Sequence, residues 1–269
     1  MQPISRFASK RNKALLRELV VTDFKLRYQG STIGYAWSLL RPLLIFLILY
    51  VVFAKFLRLG AGVPHYPVYL LLGLVMWNFF ADMTTQSLGS IVARGDILRK
   101  MSIPRWIIVV STTISILINL GFNLIVLAIF MVLNRVPLSW EIVLLPLFFL
   151  EVYLVGLGVS FYLSAAFVKY RDVRYMWEVA SLGLFYLTPI IYPLSLIHNA
   201  TLRKILLLNP LAQAIQDARY VTVTKTSLTI KSEYGHYLPG LVPLAITLAL
   251  VVIGSWYFRR EARWFAENL

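Results

Sequence analysis

Residues able to do covalent or metal chemistry are sparse in this sequence and badly spaced for it. The three histidines, His65, His198 and His236, stand far apart, and there is no cysteine. Thiolate zinc sites, disulfide frameworks and cysteine nucleophiles are thereby excluded. No His-Glu-x-x-His, Gly-x-Ser-x-Gly or Gly-x4-Gly-Lys-Ser/Thr run occurs. The chain therefore encodes no zinc-protease helix, no serine-hydrolase elbow and no loop of that kind to cradle nucleotide phosphates. Catalytic residues and metal ligands are expected to be none. Asp82 and Glu151 are the carboxylates that need an explanation, because they fall within or beside long apolar runs. A charge at the centre of a bilayer helix costs roughly 3 kcal/mol on insertion scales, so each is expected to face protein, water or the interface. Neither has an obvious basic partner at its own level.

Other polar residues recur at helical spacing. Ser111, Ser115, Asn119 and Asn123 follow one another at four-residue intervals, and Gly156, Ser160 and Ser164 do the same. Such rows share one helical face, and small-residue rows let helices approach closely, so packing is the favoured reading over a solute path. Asp23 and Arg27, also four apart, fall in the apolar sector formed by Leu16, Leu19 and Val20. They are expected to form an ion pair on an interfacial helix, either solvated or facing protein.

Aromatic residues make up 14% of the chain. Phe46, Tyr50 and Phe53 share a helical face, and Trp77, Phe80, Phe185, Tyr186 and Tyr192 add further rings. They form either a lipid-facing belt or the lining of a conduit. Aromatic faces are electron-rich and amphipathic, suited to weak, repeated contact with sugar C–H groups.

The elements that must position these residues follow from composition. Hydrophobic residues are 59% and charged residues 14%, against about 25% charged in soluble domains. A membrane protein is the class implied. Six apolar stretches are long enough to cross a bilayer, at about 38–57, 66–85, 107–133, 139–168, 176–196 and 239–258. The net charge is +14, yet the basic residues flank these stretches and form no single patch, which argues against nucleic-acid binding. Of 26 Lys and Arg, eighteen lie on alternate flanks (1–41, 86–106, 169–175, 259–269) and eight on the others. Positive-inside logic puts both termini in the cytoplasm and 197–238 outside. The basic flanks also suit contact with anionic lipid. More than 30 residues precede the first stretch and no small-residue cleavage site follows a short apolar core, so no cleavable signal is expected.

Within the fifth stretch, Leu187-Thr-Pro-Ile-Ile-Tyr-Pro193 carries two prolines that remove backbone donors. Freed carbonyls at membrane depth need partners in protein or in a watery cavity. The run from Ile205 through Asn209-Pro210 to Val223 is apolar but too short and broken to span, and suits re-entrant or interfacial half-helices. Pro189, Pro193, Asn209 and Pro210 thus mark either a kinked helix with a loop or an outer gate. On the inner side, residues 94–105 (Arg-Gly-Asp-Ile-Leu-Arg-Lys-Met-Ser-Ile-Pro-Arg) form a short amphiphilic segment, either a basic interfacial helix or a partner-binding helix.

Taken in order, the sequence resembles the ABC-2 type permeases that export polysaccharides, the membrane subunits of O-antigen, capsule and teichoic-acid exporters. The marks are Asp23-Phe-Lys-Leu-Arg-Tyr28, Gly30-Ser-Thr-Ile-Gly34 and Trp37 before Pro42; Gly73 with Trp77-Asn-Phe-Phe80; the 94–105 segment; Tyr170-Arg-Asp-Val173; Thr188-Pro-Ile-Ile-Tyr-Pro193; Asn209-Pro-Leu211; and Phe265-Ala-Glu267. Thr22 departs from the family pattern, in which many members have Arg before the Asp.

The resemblance covers essentially the whole chain and implies one all-α membrane domain over 1–269. Residues 1–37 would form a cytoplasmic interfacial-helix region, 38–258 six transmembrane helices with broken re-entrant helices between spans five and six, and 259–269 a cytoplasmic tail. It implies a homodimer in the cytoplasmic (inner) membrane of a bacterium, paired with two copies of a separate ATPase subunit. That subunit would bind ATP and Mg, leaving no cofactor in this chain. Asp96, Ile97, Leu98, Arg99, Lys100 and Pro104 would belong to the segment that docks on the ATPase. Phe46, Tyr50, Phe53, Trp77, Phe80, Phe185, Tyr186 and Tyr192 would line a channel between subunits for a lipid-linked glycan, O-antigen foremost. An ABC-2 exporter of a small amphiphile, such as a drug or lipid, and a membrane-embedded glycosyl- or acyltransferase are the alternative readings.

Overall fold

Apolar runs bounded by glycine, proline and charge become helices throughout. The computed structural model describes residues 10–28, 34–100 and 103–265, and these contain no β-strand. Helix α1 (Lys10–Tyr28) precedes α2 (Trp37–Tyr50), which continues into a π-helical stretch, Val51–Phe56. Then come α3 (Tyr66–Ala93), α4 (Gly95–Lys100), α5 (Trp106–Leu133), α6 (Leu145–Lys169) and α7 (Val173–Leu187). Three short helices follow, α8 (Ala200–Leu207), α9 (Pro210–Thr222) and α10 (Ile230–Tyr234), before the long α11 (Leu241–Glu261).

Five helical segments are long and apolar enough to cross a membrane: Leu39–Phe56, Tyr66–Ala93, Trp106–Leu133, Trp140–Lys169 and Leu238–Trp264. They match five of the six expected stretches, with the second running eight residues further than the sequence suggested. The expected stretch 176–196 is different. Its helix, α7, has 15 residues and ends at Leu187. At 1.5 Å per residue that is about 22 Å, short of a hydrocarbon core of roughly 30 Å. The cause is local: Pro189 disfavours helical backbone at the residue before it, and Thr188 is extended (φ −83°, ψ 130°). The chain then turns through Pro189–Tyr192 and makes a single 3-10 turn at Leu194–Leu196.

α3 is the hub. In its apolar window 78% of residues are buried inside the protein, against 6% in Leu39–Phe56. It packs against α2, α5, α6 and α9, and α6 in turn packs against α11. The small-residue row on α6 is what permits this. Gly156 lies against Met83, and the Ser160 hydroxyl donates to the Met83 carbonyl at 3.1 Å. On the α6–α11 side, Gly158 and Gly254 meet backbone to backbone, so that a Cβ on Gly254 would overlap the Gly158 carbonyl oxygen.

The polar row on α5 also serves packing. Ser111 and Ser115 are fully buried, and their hydroxyls donate to their own helix, at the carbonyls of Ile108 and Ser111. α1 lies along this row, with Ser115 Oγ 3.4 Å from the Val20 carbonyl oxygen. Further along, Asn119 and Asn123 face Asp82, Asn78 and Pro42 across a cavity of about 20 Å³, room for about one water. Asp82 therefore faces protein.

Candidate functional site

At one end of the bundle, Arg94 caps α3 and immediately precedes α4. Its guanidinium pairs with the Asp23 carboxylate of α1 and reaches the Ile108 carbonyl of α5 at 3.5 Å. Both side chains of the pair are largely buried, with relative exposures of 15% and 17%. One side chain thus joins three helices where α4 begins. Burial lowers the pKa of Arg94 from its ordinary value, and the guanidinium stays cationic. The expected partner of Asp23, Arg27, has a side chain that lies outside the described residues; the partner the structure gives Asp23 is Arg94.

Helix α4 carries Asp96 in its first turn, where the helix dipole favours an anion. Leu98 packs against the cluster of Ile91, Ile108, Phe258 and Phe265, seating α4 on the inner ends of α3, α5 and α11. The side chains of Ile97, Arg99 and Lys100 lie outside the described residues, and Pro104 leads into α5.

At the opposite end, the break after α7 sets an accounting problem in backbone hydrogen bonds, because its carbonyls have no helical partners. Side chains answer it one by one. The Tyr192 hydroxyl donates to the Tyr186 carbonyl at 3.1 Å, and the Tyr66 hydroxyl to the Ile191 carbonyl at 2.6 Å. Arg219 of α9 donates from Nη1 to Pro189 and from Nη2 to Ile190, both at 2.6 Å, and from Nε to the Tyr69 carbonyl at 3.1 Å.

Arg219 is completely buried, and its guanidinium lies 3.6 Å from the Tyr69 ring centroid, a cation–π contact. Room for it is made by Gly73, where any Cβ would collide with Arg219 Nη2. Pro193 is buried in the same region. Asn209 and Pro210 start α9 in the manner such residues favour: the Asn209 side chain accepts from the Leu211 N–H at 3.0 Å, and Pro210 occupies the first turn.

Sequence reasoning missed Arg219, counting it with the basic residues of an outer flank. A signal was present, since Gln216 and Arg219 are three apart, which puts both polar groups on one helical face. Gln216 is likewise buried and accepts from the Tyr69 hydroxyl at 3.4 Å. Glu151 found a polar setting as well. It lines a cavity of about 250 Å³ between α6, α9 and α11 together with Gln213, whose amide donates to Asp217 at 2.6 Å.

The aromatic residues divide. Phe46, Trp77 and Phe80 are buried inside the protomer, with exposures of 5%, 6% and 2%. Phe46 meets Phe130 edge-on at 5.2 Å and Tyr50 at 5.8 Å, while Phe53 packs against the same core. Trp77 contacts Phe80 and Phe185, each at 5.5 Å, and Phe185 contacts Tyr186 at 5.3 Å. Tyr186 is 59% exposed and stands at the free face of α7, a helix with no buried residue. Among the described residues no group of three or more His, Cys, Asp or Glu side chains is placed to hold a metal ion.

A bundle of helices long and apolar enough to cross a membrane defines a multi-pass membrane domain. The family model for the ABC-2 type transporter matches residues 14–223, and the chain belongs to that family. It is 28% identical to the O-antigen export system permease protein RfbA of Myxococcus xanthus over 263 residues, covering 96% of each protein. It is 39% identical to the Klebsiella pneumoniae protein of the same name over 106 residues, 38% of this chain and 40% of that one.

Proposed function

We propose that this chain is the permease subunit of an ATP-driven exporter that carries lipid-linked O-antigen across the cytoplasmic membrane. The observation that carries the reading is the end-to-end match to an O-antigen export permease, over 96% of both proteins. In this reading the protein is a homodimer with two copies of a separate ATPase, which binds ATP and Mg. Both termini are cytoplasmic. α7 with the residues after it completes a sixth span, and α8 and α9 are re-entrant from the outer face. The glycan passes between the two subunits.

The geometry supports a division of labour. α4 is the surface offered to the ATPase, and Arg94 at its start grips α1 and α5. A push on α4 is therefore delivered to three helices together. At the other end, the segment Pro189–Pro193 is held by side chains of α3 and α9 rather than by its own helix, so the outer gate moves when those helices move. Tyr186, exposed on α7, is the ring best placed to touch a passing sugar, with Tyr192 beside it.

The test is complementation in a strain that makes O-antigen but lacks its own permease and ATPase. This chain and its cognate ATPase are expected to restore O-antigen on the cell surface, while the chain with a catalytically dead ATPase is not. Export of short amphiphiles with no polymer at the surface would replace this reading with that of a small-molecule exporter. Activity on sugar or acyl donors without any ATPase would replace it with that of a transferase.

A further inference from the structure

The contact between α6 and α9 contains a polar group that the helix break does not use. Glu151 of α6 and Asp217 of α9 share the side-chain amide of Gln213, which donates to Asp217 Oδ2 at 2.6 Å and also reaches Glu151. Gln213 is buried and both carboxyls are half-buried. The cavity of about 250 Å³ beside Glu151 is walled mainly by leucines and Phe148. The one hydroxyl on that wall, of Thr247, donates to the Pro243 carbonyl of its own helix at 2.9 Å.

Among the described residues no cation is set against this pair. The charge that acts on Glu151 is that of Asp217. On α9, the Arg219 guanidinium turns to α3 and the break, where it holds the carbonyls of Tyr69, Pro189 and Ile190. α11 carries no charged residue before Arg259, and Lys231 ahead of it lies over the Tyr237 ring. In the turn before α6, Glu141 takes Lys225, which also covers the Tyr220 ring of α9. Lys169 stands at the far end of α6, Tyr153 shares a hydrogen bond with Thr113 of α5 at 3.3 Å, and Asp82 of α3 faces α5. On α8, Arg203 pairs with Glu233 and Lys204 lies over the Tyr234 ring.

Two carboxylates around one neutral amide make a poor contact when both are charged. The amide supplies two N–H donors and no charge, and like charges that share a site rarely both ionise. Burial pushes the Asp217 carboxyl up to about 6, with the Gln213 amide acting in the opposite direction.

We infer that Glu151, Gln213 and Asp217 form a one-proton clasp between α6 and α9. With the proton in place the pair carries a single charge, which the amide satisfies, and the two helices are held together. Without it, two negative charges meet across the contact and push α9 away from α6. α9 also carries Arg219, which pins the break after α7, so the proton sets how firmly the helix of the pin is anchored. The inference does not depend on what the protein exports.

Infrared spectra of the full-length chain in detergent, followed against pH, read the proton directly through the carbonyl stretch of a protonated carboxylic acid. We expect such a band in the unmutated chain, lost on raising the pH with a midpoint above about 6. Because the proton is shared, Glu151→Gln and Asp217→Asn each lower the midpoint of the remaining acid by at least about one pH unit, a tenfold loss of proton affinity. Two independent acids, each variant deleting its own band and leaving the other where it was, would overturn the clasp. So would an unmutated chain with no band above about pH 6, a result that needs no variant to fold.

Thermal unfolding tests whether the proton bears load between the helices. A proton held more tightly in the folded than in the unfolded state stabilises fully below the unfolded carboxyl value, and that stabilisation is lost as pH rises through the folded one. Between about pH 5.5 and 8 the unmutated chain should therefore lose about 2–4 °C more in melting temperature than the double variant Glu151→Gln/Asp217→Asn. Equal losses in the two proteins would overturn the clasp.

Discussion

Arg219 ties α9 to α3 and to the helix break after α7. It makes three hydrogen bonds to main-chain carbonyls from two different elements, and no water reaches it. Hydrogen bonds to a charged group contribute about 1.5–3 kcal/mol each, and a buried carbonyl left without a donor costs about 1–3 kcal/mol. Arg219→Met is therefore expected to lower the melting temperature of the purified permease markedly. Arg219→Lys should fall between, because an ammonium can donate but lacks the planar fork. Gly73→Ala displaces the same guanidinium, so its cost should combine less than additively with that of Arg219→Met in a double-mutant cycle read by thermal unfolding.

Phe46 and Tyr186 make a second contrast at the residue scale. Phe46 is packed within the protomer, and truncating such a ring costs about 3–5 kcal/mol, so Phe46→Ala should reduce the yield of folded protein. Tyr186→Ala, at an exposed position, should leave yield and melting temperature unchanged while lowering surface O-antigen in the complementation assay. The residue types were plain in the sequence, but their division was not, because helical spacing states that rings share a face and never which body that face meets.

At the scale of elements, the small-residue rows and the short inner helix behave as their patterns imply. α6 presents glycine to α11 at Gly158 and serine to α3 at Ser160, two faces of one helix serving two neighbours. Gly254→Leu inserts a side chain where two backbones touch and is expected to separate α11 from α6, seen as loss of the monodisperse peak of folded protein in size-exclusion chromatography. For α4, Leu98→Asp puts a carboxylate into the apolar seat formed by Ile91, Ile108 and Phe258, so it should disturb the inner end itself. Ile97→Asp is the companion test for ATPase docking. Co-purification of the ATPase should fall with both, and ATPase binding unaffected by Ile97→Asp would remove that residue from the docking surface.

α7 was the element least legible in advance. Its apolar character and the break at its two prolines were evident, yet what receives the freed carbonyls was not. Those receivers are Tyr66, Tyr192 and Arg219. Two of the three are distant in sequence.

Across the whole molecule, charge is distributed by function as well as by side of the membrane. Among basic residues of the 197–238 region, Arg203 pairs with Glu233, Lys225 pairs with Glu141, Lys231 lies over the Tyr237 ring and Arg219 is buried. The outer segment thus uses its cations within its own fold.

The outer cap built by α8, α9 and α10 is tied together by Arg203–Glu233 and by the Thr229–Ser232 capping box. Arg203→Gln is expected to loosen this cap, raising proteolytic sensitivity within residues 197–238 in spheroplasts. An exposed pair would contribute little; this one is largely buried on the Glu233 side, at 7% exposure, so breaking it leaves a carboxylate poorly solvated.

By itself the sequence determined the helical membrane class, five of the spans to within a few residues at most ends, the packing role of the small-residue rows and the place where the fifth apolar stretch breaks. Each of these follows from local chemistry: hydropathy over about 20 residues, a period of 3.6, and the missing N–H of proline. Tertiary structure alone decided that Asp23 pairs with Arg94, that Phe46 and Phe80 turn into the protomer, and that Arg219 is a buried pin. Those partners lie tens to more than a hundred residues apart, and the packing of helices across the bundle brings them together. Spacing along a chain specifies a face, whereas the occupant of that face is set by which helices the bundle places side by side.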